Sequence, residues 1–220
     1  MFLMNCTCPD LAYPLSILAR FVAPRRHQPS HWYSAKRVAK CVASTSGMGI
    51  VLRGKQPVTL TGYSNSSWAD DAETHRSTQG YSFSLGTGAV LWRSTRASSV
   101  SGSRCEAQVY AAAMAAKELR WLSFLLTNLG ERPRSPQVLF ADNRSAVLLC
   151  GECRLVGKVK HIQLCYFLLR DLQQRCQACV VCVVSDANTA DIFIKALPPC
   201  EHQRFCTQLG LVPARPHLLT

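Results

Sequence analysis

The sequence has few charged residues and no long apolar run, and both absences narrow the class of protein. Of its 220 residues, 17% are charged and 48% are hydrophobic, which is too apolar for a disordered chain. No apolar run reaches the roughly 18 residues of a membrane-spanning helix. The apolar N-terminus has no basic opening segment and is interrupted by Asp10 and Pro14, which argues against a signal peptide. We expect an intracellular globular protein, cytoplasmic or nuclear.

Acidic residues are missing from one long stretch. Between Asp10 and Asp70 there is no Asp or Glu, and the whole chain has 25 Lys+Arg against 13 Asp+Glu, a formal net charge of +12. The basic residues of this stretch are Arg20, Arg25, Arg26, Lys36, Arg37, Lys40, Arg53 and Lys55. Such a surplus of basic residues favours a polyanion as the binding partner, because each neutralised phosphate releases counterions. Nucleic acid is the first candidate. Charge alone leaves open a solvated basic face without a ligand.

Cysteine, in contrast, is abundant, with 12 in the chain. Cys150-x2-Cys153 and Cys176-x2-Cys179 nearly match the spacing of a zinc ribbon. The second pair lies in an apolar run that predicts a β-strand, where residues three apart point to opposite faces. Without a secretory signal, we interpret the cysteines as reduced, small apolar core residues.

Hydrophobic spacing divides the chain into a helical N-terminal segment and a longer α/β segment. Two helices are predicted within 11–45, separated by a loop at 24–30, and a turn-rich link follows at 44–57. The later elements are strands over 58–65, 80–85 and 89–94, a helix over 105–128, a strand over 138–141, helices over 144–149 and 161–174, a strand over 178–184, and helices over 189–197 and 204–209.

Six short motifs indicate which protein family this arrangement of strands and helices resembles. They lie at residues 62–69, 75–81, 105–108, 141–146, 160–162 and 190–198. The first, Gly-Tyr-Ser-Asn-Ser-Ser-Trp-Ala, resembles the Gly-Tyr-x-Asp-x-Asp-Trp-Ala of copia-type retrotransposon polyproteins, and the second, His-Arg-Ser-Thr-Gln-Gly-Tyr, resembles their Arg-Arg-Ser-Thr-Ser-Gly-Tyr. The others are similar, in the family's order, to Thr-Glu-Ala-Glu, Cys-Asp-Asn-x-Ser-Ala, Lys-His-Ile and Ala-Asp-x-x-Thr-Lys-x-Leu-Pro. Residues 2–211 thus resemble the C-terminal part of a copia-type Pol polyprotein.

The resemblance implies a ribonuclease H fold, which is α/β with a mixed five-stranded sheet flanked by helices, here with an N-terminal helical appendage. Residues 6–11 and 35–38 resemble the stretch that links the reverse-transcriptase core to ribonuclease H. We expect a helical connection fragment at 1–50 and a ribonuclease H-like domain at 57–212. The polymerase motif Tyr-x-Asp-Asp is absent, so we expect no reverse-transcriptase core in this chain.

The resemblance also implies a chemistry. A ribonuclease H cleaves the RNA strand of an RNA–DNA hybrid with two Mg²⁺ ions about 4 Å apart. Four carboxylates hold the ions, because Mg²⁺ prefers oxygen ligands and two close dications repel each other. They lie on the first strand, at the start of the long helix, after the fourth strand and on a late helix. The last two correspond to Asp142 and Asp191, which we predict as metal ligands.

The other two carboxylates are in question. Asn65 stands in place of the aspartate of the first strand and offers only a neutral oxygen. On the long helix, the two glutamates of the motif correspond to Glu106 and Gln108, which lie about 200° apart around a helix, so only one faces the metals. Matching Gln108-Val-Tyr-Ala to the Glu-x-x-Ala of ribonucleases H favours Gln108. Glu106 as a third metal ligand stays open.

With two of four charges missing, Mg²⁺ binding should be weak or lost, because a carboxylate about 4 Å from a unit charge contributes about 4 kcal/mol at a dielectric near 20. We expect that catalysis is impaired and that nucleic-acid binding is retained. An RNA–DNA hybrid is the first candidate ligand. The residues predicted to contact nucleic acid are Arg25, Arg26, Lys36, Arg37, Lys160 and His161. Two alternatives stay open: weak residual hydrolysis if Glu106 is a ligand, and a non-catalytic remnant or protein-interaction module.

Structural interpretations compete with these roles. Asp142 could cap the short helix after it, and Asp191 could stabilise the first turn of a helix. Lys160 and His161 could begin a surface helix without touching phosphate. The aromatic residues expected in the core are Trp68, Tyr81, Trp92 and Trp121.

Overall fold

The computed structural model describes residues 2–23, 28–52, 59–131, 133, 135–151 and 163–214. Its helices are α1 (Phe2–Cys6), α2 (Ala12–Leu18), α3 (Pro29–Ser44), α4 (Arg104–Asn128), α5 (Arg144–Gly151), α6 (Gln163–Gln174) and α7 (Pro199–Gln208). Its strands are β1 (Met48–Ile50), β2 (Leu60–Ser66), β3 (Thr78–Leu85), β4 (Gly88–Arg96), β5 (Gln137–Ala141), β6 (Ala178–Cys182) and β7 (Leu211–Pro213). Short 3₁₀ turns lie at Pro9–Leu11, Ala19–Phe21, Ser185–Ala187 and Thr189–Phe193. None of the described helices is long and apolar enough to cross a membrane.

Five strands form one mixed sheet in the order β4-β3-β2-β5-β6. The first three in the chain, β2, β3 and β4, make an antiparallel meander, and β5 and β6 extend the sheet in parallel on the other side of β2. Parallel neighbours need a crossover, and α5 and α6 lie between β5 and β6 in the chain. The predicted mixed five-stranded sheet with flanking helices is confirmed, and the N-terminal segment is helical as predicted.

The long helix α4 packs against β2, β3, α5 and α6, and many of its buried side chains are small. Its buried alanines are Ala107, Ala111, Ala112, Ala113, Ala115 and Ala116. With so little side-chain volume between them, helix and sheet come close together. Gly130 follows the helix with a φ of 84°, a left-handed conformation that glycine adopts readily, and it ends α4 where the sequence predicts.

The N-terminal segment packs on the sheet and is part of the molecule's core. Met4, Leu11 and Ala12 are buried, and the indole N–H of Trp92 on β4 donates to the Met4 carbonyl at 2.6 Å. The short strand β1 pairs with β7 near the other end of the chain. The division into 1–50 and 57–212 stays a prediction, since residues 53–58 are outside the described ranges.

Several local predictions need correction. The helix predicted over 189–197 is the 3₁₀ turn Thr189–Phe193, because Pro198 disfavours helical backbone in the residue before it and a new helix, α7, begins at Pro199. The strands β1 and β7 were not predicted: three-residue strands are too short to show alternation. Tyr81 and Trp92 are buried as expected, but Trp68 and Trp121 are 46% and 53% exposed.

The interpretation of the cysteines as reduced core residues is correct only in part. The ten described cysteines are free, and Cys206 is buried, while Cys105 and Cys165 are half-buried and pack against the core. Four others are exposed: Cys6, Cys176, Cys182 and Cys200. Alternation along β6 turns only every second side chain inward. Cys153 lies outside the described residues.

Candidate active site

Four residues of the predicted site converge at one edge of the sheet. Asn65 lies near the end of β2 and Asp142 directly follows β5, and these parallel strands pair Ser64 with Ala141. Parallel neighbours end at the same sheet edge, so the two side chains meet there. Gln108 comes from the start of α4, and Asp191 comes from the 3₁₀ turn Thr189–Phe193.

The side-chain amide of Asn65 is at the centre of this group, and Asn65 is only 2% exposed. Its Nδ2 donates to Asp142 Oδ2 at 3.1 Å and to Asp191 Oδ1. Its Oδ1 accepts from the Ser66 backbone N–H at 2.7 Å. Because a backbone N–H can only donate, the orientation of the amide is set, and its NH₂ group faces the two carboxylates.

Gln108 belongs to the same network. Its Nε2 donates to Asn65 Oδ1 at 2.6 Å and to the Ser66 carbonyl at 3.0 Å. A carbonyl can only accept, so the orientation of this amide is also determined. Gln108 is buried, and its Oε1 has no hydrogen-bond partner among the described residues.

Glu106, the alternative ligand on α4, lies outside this group. Its Oε2 accepts from the Gly102 backbone N–H at 2.7 Å, and its own backbone N–H donates to Ser103 Oγ at 3.1 Å. These are contacts of the N-terminal cap of α4. Glu106 does not line the cleft in front of Asn65.

Asp191 is buried and makes an ion pair. Lys195 Nζ lies 2.6 Å from Asp191 Oδ2. Burial raises the pKa of the Asp191 carboxyl, and the nearby Asp142 raises it further, while the Lys195 ammonium and the Asn65 amide act in the opposite direction. The net direction is upward, because the desolvation of this carboxyl is the largest influence.

Asp142 is partly exposed and is not the cap of α5. The capping contact is made by Asn143, whose Oδ1 accepts from the Ala146 backbone N–H at 2.9 Å. Asp142 Oδ2 accepts from Ser185 Oγ at 3.3 Å as well as from Asn65. Its Oδ1 has no hydrogen-bond partner among the described residues.

The turn that carries Asp191 is held on the sheet by Asn188 and Gly80. Asn188 is fully buried; its Nδ2 donates to the Ser64 carbonyl and its Oδ1 accepts from the Ala190 N–H, both at 3.1 Å. A Cβ on Gly80 would lie 2.6 Å from the Cβ of Phe193, so only glycine permits this approach. Sequence analysis missed Asn188, although an Asn before a predicted helix is a recognisable capping signal.

The four residues open onto a cleft of about 330 Å³. Its rim includes Ser67, Trp68, Arg104 and Lys195, and the Arg104 guanidinium lies 5.9 Å from the centre of the Trp68 ring. The cleft therefore carries basic groups and one accessible aromatic ring beside two carboxylates.

The residues present do not fit a pair of Mg²⁺ ions. Three of the four carboxylate oxygens, Asp142 Oδ2 and both oxygens of Asp191, already contact the Asn65 amide or the Lys195 ammonium, and these donors cannot ligate a cation. In the described ranges, no group of three or more His, Cys, Asp or Glu side chains is placed to hold a metal ion.

The acidic residues after β2 do not replace the missing carboxylates. Asp70 accepts from the backbone N–H and hydroxyl of Thr78 at 2.7 and 2.6 Å. Asp71 forms ion pairs with Arg20 and Arg96, each at 3.0 Å. Both stabilise the loop between β2 and β3 and lie outside the cluster around Asn65.

The residues predicted to contact nucleic acid are only partly described. Lys36 and Arg37 are exposed on α3. Arg25, Arg26, Lys160 and His161 lie outside the described residues.

Comparison with known proteins identifies the family. No protein-family model matches the chain. Over 212 residues it is 33% identical to the retrovirus-related Pol polyprotein of transposon RE2 from Arabidopsis thaliana, an alignment that covers 96% of this chain and 14% of the polyprotein. The chain is a homologue of copia-type retrotransposon Pol polyproteins. It spans about one seventh of the length of these Pol relatives.

Two further similarities are more limited. Secreted RxLR effector protein 161 from Plasmopara viticola is 38% identical over 123 residues, which cover 56% of this chain and 85% of that protein. The crystal structure of LC11-RNase H1 in complex with an RNA/DNA hybrid superposes with a TM-score of 0.48 and 11% identity, covering 62% of this chain and 94% of that one.

Proposed function

We propose that this domain binds nucleic acid and does not cleave it, and that an RNA–DNA hybrid is its first candidate ligand. The observation that carries the proposal is the Asn65 amide, which donates to both Asp142 and Asp191. In the family motif this position is an aspartate. The exchange of one carboxylate oxygen for an NH₂ group turns a metal ligand into a donor that makes one hydrogen bond to each of the two remaining carboxylates.

Electrostatics supports the loss of metal binding. Each missing carboxylate removes about 4 kcal/mol of attraction for a unit positive charge about 4 Å away, at a dielectric near 20. An entering cation would also have to break the contacts of Asn65 and compete with the Lys195 ammonium at 2.6 Å from Asp191. We therefore propose that any Mg²⁺ affinity is far too low to hold two ions together.

The charge distribution supports binding of a polyanion. The chain carries a formal net charge of +12 and has no acidic residue between Asp10 and Asp70. At the cleft, Arg104 and Lys195 stand on the rim together with the exposed ring of Trp68. Basic groups next to an aromatic ring suit phosphates and bases, respectively.

A gain-of-function experiment tests both parts of the proposal. In Mg²⁺, the wild-type chain should bind a labelled RNA–DNA hybrid without cutting it, and its affinity should fall steeply between about 50 and 200 mM salt. The double variant Asn65→Asp/Gln108→Glu restores four carboxylates and should cleave the RNA strand. Adding Asp142→Asn should abolish that cleavage.

Glu106→Gln is the matched control, because Glu106 lies on the same helix but outside the cluster. It should leave the double variant's activity unchanged. Cleavage by the wild type that disappears in Asp142→Asn would refute the non-cleaving part of the proposal, and loss of that cleavage in Glu106→Gln would restore the three-carboxylate alternative. Hybrid affinity that does not change with salt would refute electrostatic binding.

A further inference from the structure

The helix α3 presents a surface of aromatic and basic side chains to solvent. We call it the α3 stripe, and it consists of Trp32, Tyr33, Lys36, Arg37 and Lys40. Trp32 and Tyr33 are 63% and 65% exposed, and Lys36 Nζ lies 5.2 and 5.7 Å from the centres of their rings. Positions three and four apart share one side of a helix, so the five side chains form one continuous face.

The stripe stands on a helix that is held at both ends. At the first turn, the ring of His31 stacks on Phe21 with a centroid distance of 3.9 Å, and His31 Nδ1 accepts from the Gln28 backbone N–H at 3.0 Å. After its last turn the chain continues into β1, which pairs with β7. No residue of α3 is buried within the described part of the chain, so its outer face is available to a partner.

Side-chain contacts join the start of α3 to the rim of the cleft. Arg20, next to Phe21, donates to Thr78 Oγ1 at 3.0 Å. The Thr78 backbone N–H donates to Ser67 Oγ at 2.8 Å, and Ser67 lines the cleft. These contacts link the cleft rim to the segment that packs on the start of α3.

We propose that the α3 stripe binds an unpaired nucleic-acid strand that extends from the duplex at the cleft. This inference rests on the proposed binding of nucleic acid but concerns a second surface. Unpaired bases can stack on Trp32 and Tyr33, whereas the bases of a duplex are already stacked on one another. Lys36, Arg37 and Lys40 lie where the phosphates of such a strand would pass, and no acidic residue on α3 opposes them.

The composition of the helix favours a nucleic acid over a lipid surface. A helix that lies in a membrane interface inserts several large aliphatic or aromatic side chains. α3 contains no Leu, Ile or Phe, and its two valines, Val38 and Val42, are half-buried rather than part of the exposed face. The stripe offers two flat rings and three cations, which suits stacked bases between phosphates.

Three probes test the inference on the full chain: a blunt RNA–DNA hybrid, the same hybrid with a single-stranded extension of about ten nucleotides, and that single strand alone. By fluorescence anisotropy, the extended hybrid should bind more tightly than the blunt one. Trp32→Leu/Tyr33→Leu should weaken binding of the extended hybrid and the free strand about tenfold and leave the blunt hybrid unchanged. Circular dichroism should show unaltered folding, because both rings are exposed.

Trp121→Leu is the matched control, because Trp121 is similarly exposed, at 53%, on α4. It should not alter the advantage of the extended hybrid. If the blunt hybrid binds but the extension adds nothing, or if the advantage survives in Trp32→Leu/Tyr33→Leu, the stripe inference is overturned and the proposed function stands.

If the free strand and the extended hybrid bind equally well through Trp32 and Tyr33 and the blunt hybrid does not bind, the stripe still binds an unpaired strand and the proposed hybrid binding at the cleft fails. Failure of all three probes overturns both. Binding to phosphatidylserine vesicles without binding to the single strand would assign the stripe to a lipid surface and would also overturn it.

Discussion

At the scale of single residues, the character of the site depends on one atom of Asn65. Asp and Asn have nearly the same shape, but the carboxylate only accepts hydrogen bonds, whereas the amide NH₂ donates two. In this chain those two bonds reach Asp142 and Asp191. The amide thus adds two hydrogen bonds to the cluster, where an aspartate would add a further negative charge that Asp142 and Asp191 repel.

The substitution Asn65→Asp tests how much the amide donor contributes to the stability of the cluster. The variant places three carboxylates together without the amide donor, so we expect the free energy of unfolding in EDTA to fall by about 1 to 3 kcal/mol. Mg²⁺ should recover part of this loss by screening the repulsion, whereas the wild type should show no Mg²⁺-dependent change. Thermal unfolding in EDTA and in Mg²⁺ measures both. A Mg²⁺-dependent stabilisation of the wild type equal to that of the variant would contradict this account.

At the scale of elements, the position of Asp191 depends on how its turn packs on β3. The turn Thr189–Phe193 is short and irregular, so its own backbone hydrogen bonds do little to hold it. Its place comes from the buried side chain of Asn188 and from the missing side chain of Gly80, which pairs with Asn65 across β2 and β3. The residues of the cluster are therefore positioned both by the pairing of β2 with β3 and by the packing of the turn on β3.

Gly80→Ala should disturb this packing. The new Cβ would lie 2.6 Å from the Cβ of Phe193, so the turn must move outward, at a cost of about 1 to 3 kcal/mol in the free energy of unfolding. Denaturant titration measures the loss. Gly49→Ala on β1 is the matched control, since its Cβ would meet no atom within 4 Å, and we expect a change within about 0.5 kcal/mol. Equal effects of the two substitutions would show that close packing at Gly80 is unimportant.

At the scale of the whole molecule, the N-terminal segment contacts the five-stranded sheet and the loop after β2. Asp71, in the loop after β2, accepts from Arg20 of the N-terminal segment and from Arg96 of β4. Desolvation opposes ionisation of this carboxyl, but the hydrogen bonds from Arg96 and Thr74 and the charge of Arg20 outweigh it and hold the pKa of Asp71 well below its usual range.

The lowered pKa predicts a pH dependence of stability. The contribution of Asp71 is present above the pKa of an aspartate in the unfolded chain, about 3.9, and is lost as the pH falls from there towards the lower pKa of the folded state. Asp71→Asn should therefore destabilise the protein at neutral pH, and its difference from the wild type should shrink below about pH 4. Urea titrations at several pH values measure this.

Asp171→Asn is the control for that series. Asp171 forms an exposed ion pair with Arg175, one helical turn away on α6, and exposed pairs of this kind contribute about 0.5 kcal/mol or less. A pH dependence of the same size for Asp171→Asn and Asp71→Asn would contradict the assignment of acid sensitivity to the Arg20–Asp71–Arg96 contact.

The sequence by itself determined what is encoded locally or in short motifs. The bounds of α4 follow from its alanine-rich composition and Gly130, and the family motifs point to Asn65, Gln108, Asp142 and Asp191 as neighbours, which the fold brings together. A periodic pattern or a motif is complete within a few residues, so it can be read without the fold.

Only the tertiary structure decided which atoms face each other. It places Gln108 rather than Glu106 beside Asn65, orients the Asn65 amide towards both carboxylates through the Ser66 backbone, and pairs β1 with β7. It also leaves Trp68 and Trp121 exposed. These outcomes depend on residues far apart in the chain, because hydrogen-bond direction and burial are properties of the partner as much as of the residue itself.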